Sequence, residues 1–210
     1  MATVDPWPVI HRERGALATD LAEVPADAWT TPSLCHGWTV HDMLGHIVST
    51  AKMSKFGFFG KLAGAGFQFN RMTAKNVAEE TASGPAHTLD ELRAHAADST
   101  SPPGPTETWL GEIIVHSTDI RWPLAMEHDF PIDALIRVAD FYKGSNTLIG
   151  SKNRIAGLTL KATDIEWSTG SGPEVSGPLL ALVMAMTGRA AALDRLDGPG
   201  LDMFKTRFKD

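Results

Sequence analysis

Residues 111–121 read Gly-Glu-Ile-Ile-Val-His-Ser-Thr-Asp-Ile-Arg, and their apolar side chains recur at helical spacing. On such a helix Glu112 and His116 lie about 40° apart, and Asp119 lies about 20° to the other side of Glu112. A carboxylate oxygen and an imidazole nitrogen are both normal zinc ligands. Asp119 follows His116 by three residues and could hold the other imidazole nitrogen. The spacing indicates a metal site, although such a Glu/His pair is also common on solvated helix faces.

A metal site needs a third ligand, and His46 is the best-placed histidine. It lies in the middle of a predicted helix, within the largely apolar run 43–48. The main apolar face of that helix is defined by Val40, Leu44 and Ile47, and its centre lies more than about 90° from His46. This position suits a helix that is buried on two sides in a bundle, and it also suits a partly exposed surface histidine.

Composition limits the class of protein. The chain has 210 residues, of which 43% are hydrophobic and 21% charged, so it can bury a globular core in one or two domains. Lys and Arg number 19 against 25 Asp and Glu, which gives a formal charge of −6. A protein that neutralises nucleic-acid phosphates would usually carry a basic excess. We therefore expect no nucleic-acid partner.

Cysteine content and hydropathy bear on the compartment. Cys35 is the single cysteine, which excludes an intrachain disulfide and a CxxC motif, and we interpret it as a small buried hydrophobe rather than a nucleophile. Residues 1–7 carry an acid and a proline where a signal peptide needs a basic start and an apolar run. The longest apolar run, 178–187, is shorter than the roughly 18 residues of a membrane span. We expect a soluble, cytoplasmic protein without a membrane partner.

Helical periodicity and capping signals cover most of the chain. Thr39 with Asp42, and Thr88 with Glu91, have the spacing of capping boxes that open helices. The predicted helices span residues 9–24, 39–59, 67–80, 88–98, 107–121, 133–142, 178–187 and 190–196.

The pattern changes after about residue 154. Residues 158–163 alternate at period two, residues 164–168 continue the alternation, and 174–176 could form a short strand after the turn at 169–173. A helical body of about 150 residues therefore precedes a small α+β region.

Three motifs in order resemble one known family. Residues 32–46, Pro-Ser-Leu-Cys-His-Gly-Trp-Thr-Val-His-Asp-Met-Leu-Gly-His, resemble its CxGWTVxDxxxH stretch, and residues 111–124 are similar to its GExxxHxxDIRxPL helix. Segments 162–167 and 170–178 and Gly188-Arg189 also resemble its C-terminal region. The family is that of the mycothiol-dependent maleylpyruvate isomerase-like proteins, in the DinB-like superfamily. Each motif is moderately specific, and their ordered occurrence over residues 32–196 carries the resemblance.

The resemblance implies a mainly α fold, an up-and-down four-helix bundle with a small C-terminal α+β element. The expected domains are a DinB-like metal-binding bundle, 1–150, and a small α+β domain, 151–210. His46, Glu112 and His116 would bind one divalent metal, zinc in the characterised enzyme. Two histidines and one glutamate leave coordination positions open, as in catalytic zinc sites.

The resemblance also implies chemistry with a low-molecular-weight thiol, mycothiol, which is found in actinobacteria. The expected reaction is attack of the thiolate on a small electrophilic substrate, leading to isomerisation or S-transfer. Asp119 and Arg189 are the candidate catalytic residues: Asp119 would support His116, and Arg189 would bind a substrate carboxylate. Arg189 could equally be a helix-end charge or part of a salt bridge.

Two other functions stay open on the sequence. The first is a hydrolase in which the metal activates water. The second is a binding protein that keeps the bundle without the chemistry. Residues 56–69, rich in Phe and Gly, could line an apolar substrate channel or form an oligomer contact.

Overall fold

The structure, a computed structural model, describes residues 5–146 and 149–208. Its contacts divide the chain into two units, Met1–Asp129 and Phe130–Asp210. This division comes earlier in the chain than the boundary expected after residue 150. The reason is that the helix after Pro131 packs against the helix after Pro178 and so joins the second unit.

The first unit is helical. Its α-helices are α1 (Trp7–Asp20), α2 (Val40–Lys52), α3 (Lys55–Gly64), α4 (Phe69–Thr81), α5 (Pro85–His95) and α6 (Thr106–Arg121). Helices α1 and α2 each pack against both α5 and α6, which closes a ring of four helices, and α4 covers α2. The predicted four-helix bundle is confirmed.

The core of the bundle comes from helical spacing on α2 and α6. Leu44 and Ile47 of α2, and Ile113 and Ile120 of α6, are at most 2% exposed. Full burial of one such side chain stabilises the fold by about 1.5–3 kcal/mol. The two helices that carry the predicted metal ligands are therefore held together by apolar packing.

Capping decides where α2 begins and ends. The Thr39 side chain accepts a hydrogen bond from the Asp42 backbone N–H at 3.1 Å, and the Asp42 carboxylate accepts one from the Thr39 backbone N–H at 2.9 Å, so the predicted capping box is confirmed. The predicted extension to residue 59 is wrong. Helix α2 ends at Lys52, and the Ser54 hydroxyl accepts a hydrogen bond from the Gly57 N–H to cap α3.

The capping box predicted at Thr88 is also wrong. Helix α5 begins one turn earlier, at Pro85, where proline suits the first helical position. Thr88 is fully buried, and its hydroxyl lies 2.9 Å from the Glu80 carbonyl oxygen and 2.9 Å from His41 Nε2. The residue therefore links α2, α4 and α5 and does not cap a helix.

The second unit combines helices with a three-stranded sheet. Its elements are α7 (Ile132–Tyr142), α8 (Ser151–Arg154), β1 (Thr159–Ala162), β2 (Ser168–Gly170), β3 (Glu174–Gly177), α9 (Leu179–Met186) and α10 (Leu201–Lys205). The strand order is β2-β1-β3, with Leu160 opposite Thr169 in the antiparallel pair and opposite Val175 in the parallel pair. The expected small α+β element is confirmed.

The alternation predicted through residues 164–168 is broken by a turn. Strand β1 ends at Ala162, and Asp164 leaves the sheet so that its carboxylate accepts a hydrogen bond from the Leu179 N–H at the start of α9. Within the described ranges, no helix has the length and apolar character needed to cross a membrane.

Candidate functional site

Helices α2 and α6 bring two of the predicted ligands together. His46 and His116 lie on facing surfaces of these helices, with ring centroids 4.9 Å apart and ring planes at 83°. The Trp38 ring, just before α2, packs 5.2 Å from the His46 ring. Both histidines are partly exposed.

Asp119 contacts His116 as its spacing predicts. Its Oδ2 lies 3.0 Å from His116 Nδ1, and its side chain is fully buried. A carboxylate accepts hydrogen bonds, so this contact favours the tautomer with the proton on Nδ1 and the lone pair on Nε2. The imidazole is thereby oriented with the lone pair of Nε2 as the atom that can ligate a metal ion.

Glu112 lies one turn before His116 on α6, near Thr50 of α2, whose hydroxyl donates to the His46 carbonyl oxygen at 3.1 Å. Thr50 follows His46 by one turn on α2, so Glu112 and His116 both face α2. Burial raises the pKa of Glu112 to about 8, against the opposing effects of the Arg14 charge and of the Thr50 hydrogen bond. A cation beside this carboxyl would favour its ionised form.

His46, Glu112 and His116 have donor atoms that suit a divalent ion. The two histidines also have a suitable separation. Two imidazoles on one tetrahedral zinc ion, with Zn–N bonds of about 2.0–2.1 Å, have ring centres about 5 Å apart, close to the observed separation. As the side chains are placed in residues 5–146 and 149–208, no three His, Cys, Asp or Glu groups converge tightly enough to hold a metal ion. Ligation by all three therefore requires side chains to move from these positions.

The segment before α2 is attached to the end of α6. The Leu34 N–H donates to the Asp119 carbonyl oxygen at 3.2 Å, and the Cys35 N–H donates to the Ser33 hydroxyl. Cys35 is partly exposed. It lies in the loop whose backbone is hydrogen-bonded to Asp119 through Leu34. This location differs from the core position expected for it.

Arg189 belongs to the second unit. It precedes the 3-10 helix Ala190–Arg195, and its guanidinium donates to the Thr187 carbonyl oxygen at 3.2 Å. The Arg189 charge also lowers the pKa of Arg154, although burial of Arg154 is the larger cause. The two guanidinium groups concentrate positive charge in this part of the unit.

Sequence reasoning missed Arg14 and Thr50. Arg14 is 3% exposed, donates to the Asp98 carbonyl oxygen at 2.9 Å and interacts electrostatically with Glu112. Its helix carries no motif that marks it, and a charged residue on a helix is normally assigned to the solvent face. Thr50 could have been found from its position one turn after His46.

The fold and the site together define a helical-bundle protein with two histidines and two carboxylates between facing helices. Residues 10–102 match the family model described as the mycothiol maleylpyruvate isomerase N-terminal domain. That match includes His46 and ends before Glu112 and His116. The resemblance that the motifs suggested is thereby confirmed for this part of the chain.

Two crystal structures are similar to the chain as a whole. One is of the mycothiol-dependent maleylpyruvate isomerase, with a TM-score of 0.63 and 16% sequence identity. The other is of a mutant of that enzyme with alanine in place of a histidine, with a TM-score of 0.63 and 15% identity. Each alignment covers 92% of this chain and 91% of the matched chain, which shows that this protein shares its fold with the isomerase. No curated protein matches the sequence.

Proposed function

We propose that this protein is a metal-dependent enzyme that uses mycothiol in the isomerisation of, or S-transfer to, a small electrophile. The main support is the pairing of His46 with His116 across α2 and α6, in a chain that has the maleylpyruvate isomerase fold. The N-terminal family match supports the choice of thiol. The proposal places the protein in the cytoplasm of a mycothiol-producing actinobacterium.

The proposed ligands are His46, Glu112 and His116, with zinc as the metal. A zinc ion held there would favour the thiolate form of a bound thiol. Asp119 holds the His116 ring through Nδ1, and Trp38 limits the rotation of the His46 ring.

Arg189 is proposed to bind the carboxylate of the substrate, because a guanidinium group can hold a carboxylate with two hydrogen bonds. An Arg189→Lys substitution keeps the charge and loses the two-pronged geometry. The expected result is a higher KM for a carboxylate substrate, with metal content unchanged. A KM equal to that of the wild type would contradict this role.

The first experiment is elemental mass spectrometry of tag-free protein, before and after incubation with zinc and desalting. We expect about one equivalent of a divalent metal per chain. His46→Ala, Glu112→Ala and His116→Ala should each lower zinc affinity sharply, whereas His36→Ala, at an exposed histidine, should not. Stoichiometric zinc in all three variants would overturn the ligand set.

The second experiment tests the thiol. Maleylpyruvate and other small electrophiles are incubated with the zinc-loaded protein, with and without mycothiol. We expect turnover only with the thiol. Turnover of ester or amide substrates without thiol would favour the hydrolase, and zinc binding without turnover would favour the binding protein.

A further inference from the structure

Helix α3 presents an apolar face to solvent. None of its ten described residues is buried. On a helical projection its exposed residues Phe56, Phe59, Gly60, Ala63 and Gly64 lie within about 140° of one another. Phe56 is 91% exposed and Phe59 is 59% exposed. This arrangement is the reverse of an ordinary surface helix, whose apolar face points inward.

The opposite face of α3 is attached to α4. The Phe58 ring packs 6.5 Å from the Phe69 ring, and Lys61 Nζ lies 2.9 Å from both Asn76 Oδ1 and Glu79 Oε2. These contacts orient the helix, so that the apolar face is held outward by packing on its other side. Phe67, in the link to α4, adds a third aromatic ring and is 79% exposed.

We propose that this face, formed by Phe56, Phe59, Gly60, Ala63, Gly64 and Phe67, binds the same face of a second copy of the chain. If each ring extends about 200 Å², the three phenylalanines expose roughly 450 Å². A stable interface buries about 800 Å² per partner, so these rings alone supply more than half of it. The largest apolar patch on a typical monomer is of about this size and is often a functional surface.

The shape of the face suits another helix. A Cβ atom added at Gly60 or Gly64 would meet no other heavy atom within 4 Å, so packing inside the chain does not account for these small residues. They leave a shallow groove beside the ridge formed by Phe56 and Phe59. When two such helices meet about a two-fold axis, the ridge of each can enter the groove of the other.

Charge favours a second copy over an anionic membrane. Two of the three lysines on or next to α3 are paired with glutamates, Lys52 with Glu80 and Glu91 and Lys61 with Glu79, and the third, Lys55, lies outside the apolar face. The whole chain carries a formal charge of −6, which anionic lipid would repel. A face without net charge can meet its own copy without repulsion between like charges.

Sedimentation velocity over micromolar to high-micromolar concentrations tests the proposal on the full chain. We expect the wild type to sediment as a dimer and the Phe56→Glu/Phe59→Glu variant as a folded monomer with the far-UV circular dichroism spectrum of the wild type. Met203→Glu, at an exposed apolar residue of α10, is the matched control and should remain dimeric. A monomeric wild type, or a dimeric double variant, would overturn the proposal.

Cross-linking provides an independent readout of the same contact. In a Cys35→Ser background, Ala63→Cys places one thiol near the proposed two-fold axis. Mild oxidation should give a disulfide-linked dimer with Ala63→Cys and monomer with Asp202→Cys on α10. Equal cross-linking of both variants would overturn the proposed face. Flotation of a monomeric wild type with phosphatidylglycerol vesicles would also overturn it and would point to a lipid surface.

Discussion

Opposing effects act on the pKa of Glu112. Burial disfavours its charged form, while the guanidinium of Arg14 and the hydroxyl of Thr50 favour it. Arg14 is itself buried, and its own pKa is lowered by that burial, with the Glu112 charge acting in the opposite direction. The charges of Arg14 on α1 and Glu112 on α6 therefore each favour the ionised form of the other, while burial opposes both and is the larger effect.

Asp119→Asn tests how His116 is oriented. An asparagine can present either its oxygen or its amide nitrogen to Nδ1, so the preference for one tautomer is lost. Loss of the hydrogen bond to the second nitrogen of a metal-binding histidine typically lowers metal affinity by about 10–100-fold. We expect a loss of zinc affinity in this range. Competition with a chromophoric chelator measures it. Asp90→Asn, on the exposed side of α5, is the control, and an unchanged affinity in Asp119→Asn would contradict the role.

Arg14→Met tests the buried cation. The substitution keeps much of the side-chain volume and removes the hydrogen bond to the Asp98 carbonyl oxygen. Hydrogen bonds that involve a charged group contribute about 1.5–3 kcal/mol, so we expect the free energy of unfolding in urea to fall by about that amount. Arg93→Met removes an exposed ion pair with Asp90 and should change stability by less than about 1 kcal/mol. Equal losses in the two variants would contradict a special role for Arg14.

At the scale of single residues, spacing predicted contacts within a helix and missed contacts between helices. The contact of His116 with Asp119 follows from an interval of three residues on α6. The contacts of Glu112 with Arg14 and Thr50 join residues that are far apart in the chain. No local sequence pattern predicts these contacts, because they depend on how the helices pack.

Helix α2 shows how local signals act at the scale of an element. Its start is set by the reciprocal hydrogen bonds of Thr39 and Asp42, which the sequence predicts because both partners lie within one turn. Its end at Lys52 was missed, because a break between two helix-forming segments depends on the hydrogen bond between Ser54 and Gly57.

Thr39→Ala removes the side-chain acceptor of the α2 cap. Loss of such a cap typically costs about 1 kcal/mol, and we expect the urea midpoint to fall accordingly. Thr19→Ala is a matched control, because the Thr19 hydroxyl bonds the Gly15 carbonyl oxygen within α1 and caps nothing. If the two variants lost equal stability, the capping box would not be what stabilises the start of α2.

His41 makes the packing of α2 on α5 depend on pH. Burial lowers the pKa of His41, so the folded protein binds its proton more weakly than the unfolded chain does. The contribution of His41 is therefore complete above the unfolded pKa of about 6.5 and is lost as the pH falls through the lower folded pKa. His41→Gln should show a smaller loss of melting temperature between pH 8 and pH 5 than the wild type.

The control for this prediction is His87→Gln, at an exposed histidine of α5. It should follow the pH dependence of the wild type. If His41→Gln did the same, the protonation of His41 would not affect stability in this range.

The whole molecule consists of two units, each with a core of its own. In the second unit Phe204 is fully buried beside Phe208, and Val175 of β3 is fully buried in the sheet. Two units with separate cores can unfold independently, since the stability of each region follows its density of buried apolar contacts.

Phe204→Ala tests that separation. Truncation of a buried phenylalanine costs about 3–5 kcal/mol. We expect hydrogen exchange to accelerate at the backbone amides of β1 and β3, with little change in α2 and α6. Acceleration of equal size in both units would show that the chain unfolds as one cooperative body.

By itself, the sequence determined the helical class, the C-terminal sheet, the cap of α2 and the candidates His46, Glu112, His116 and Asp119. These follow from periodicity and short intervals, which act within a few turns of chain, and from ordered motifs. Only the tertiary structure decided that α2 faces α6, that Thr88 is buried between three helices, and that β3 runs parallel to β1. It also decided that the phenylalanines of α3 point outward. These features depend on contacts between distant segments, whose free energy is set by the packing of the whole unit.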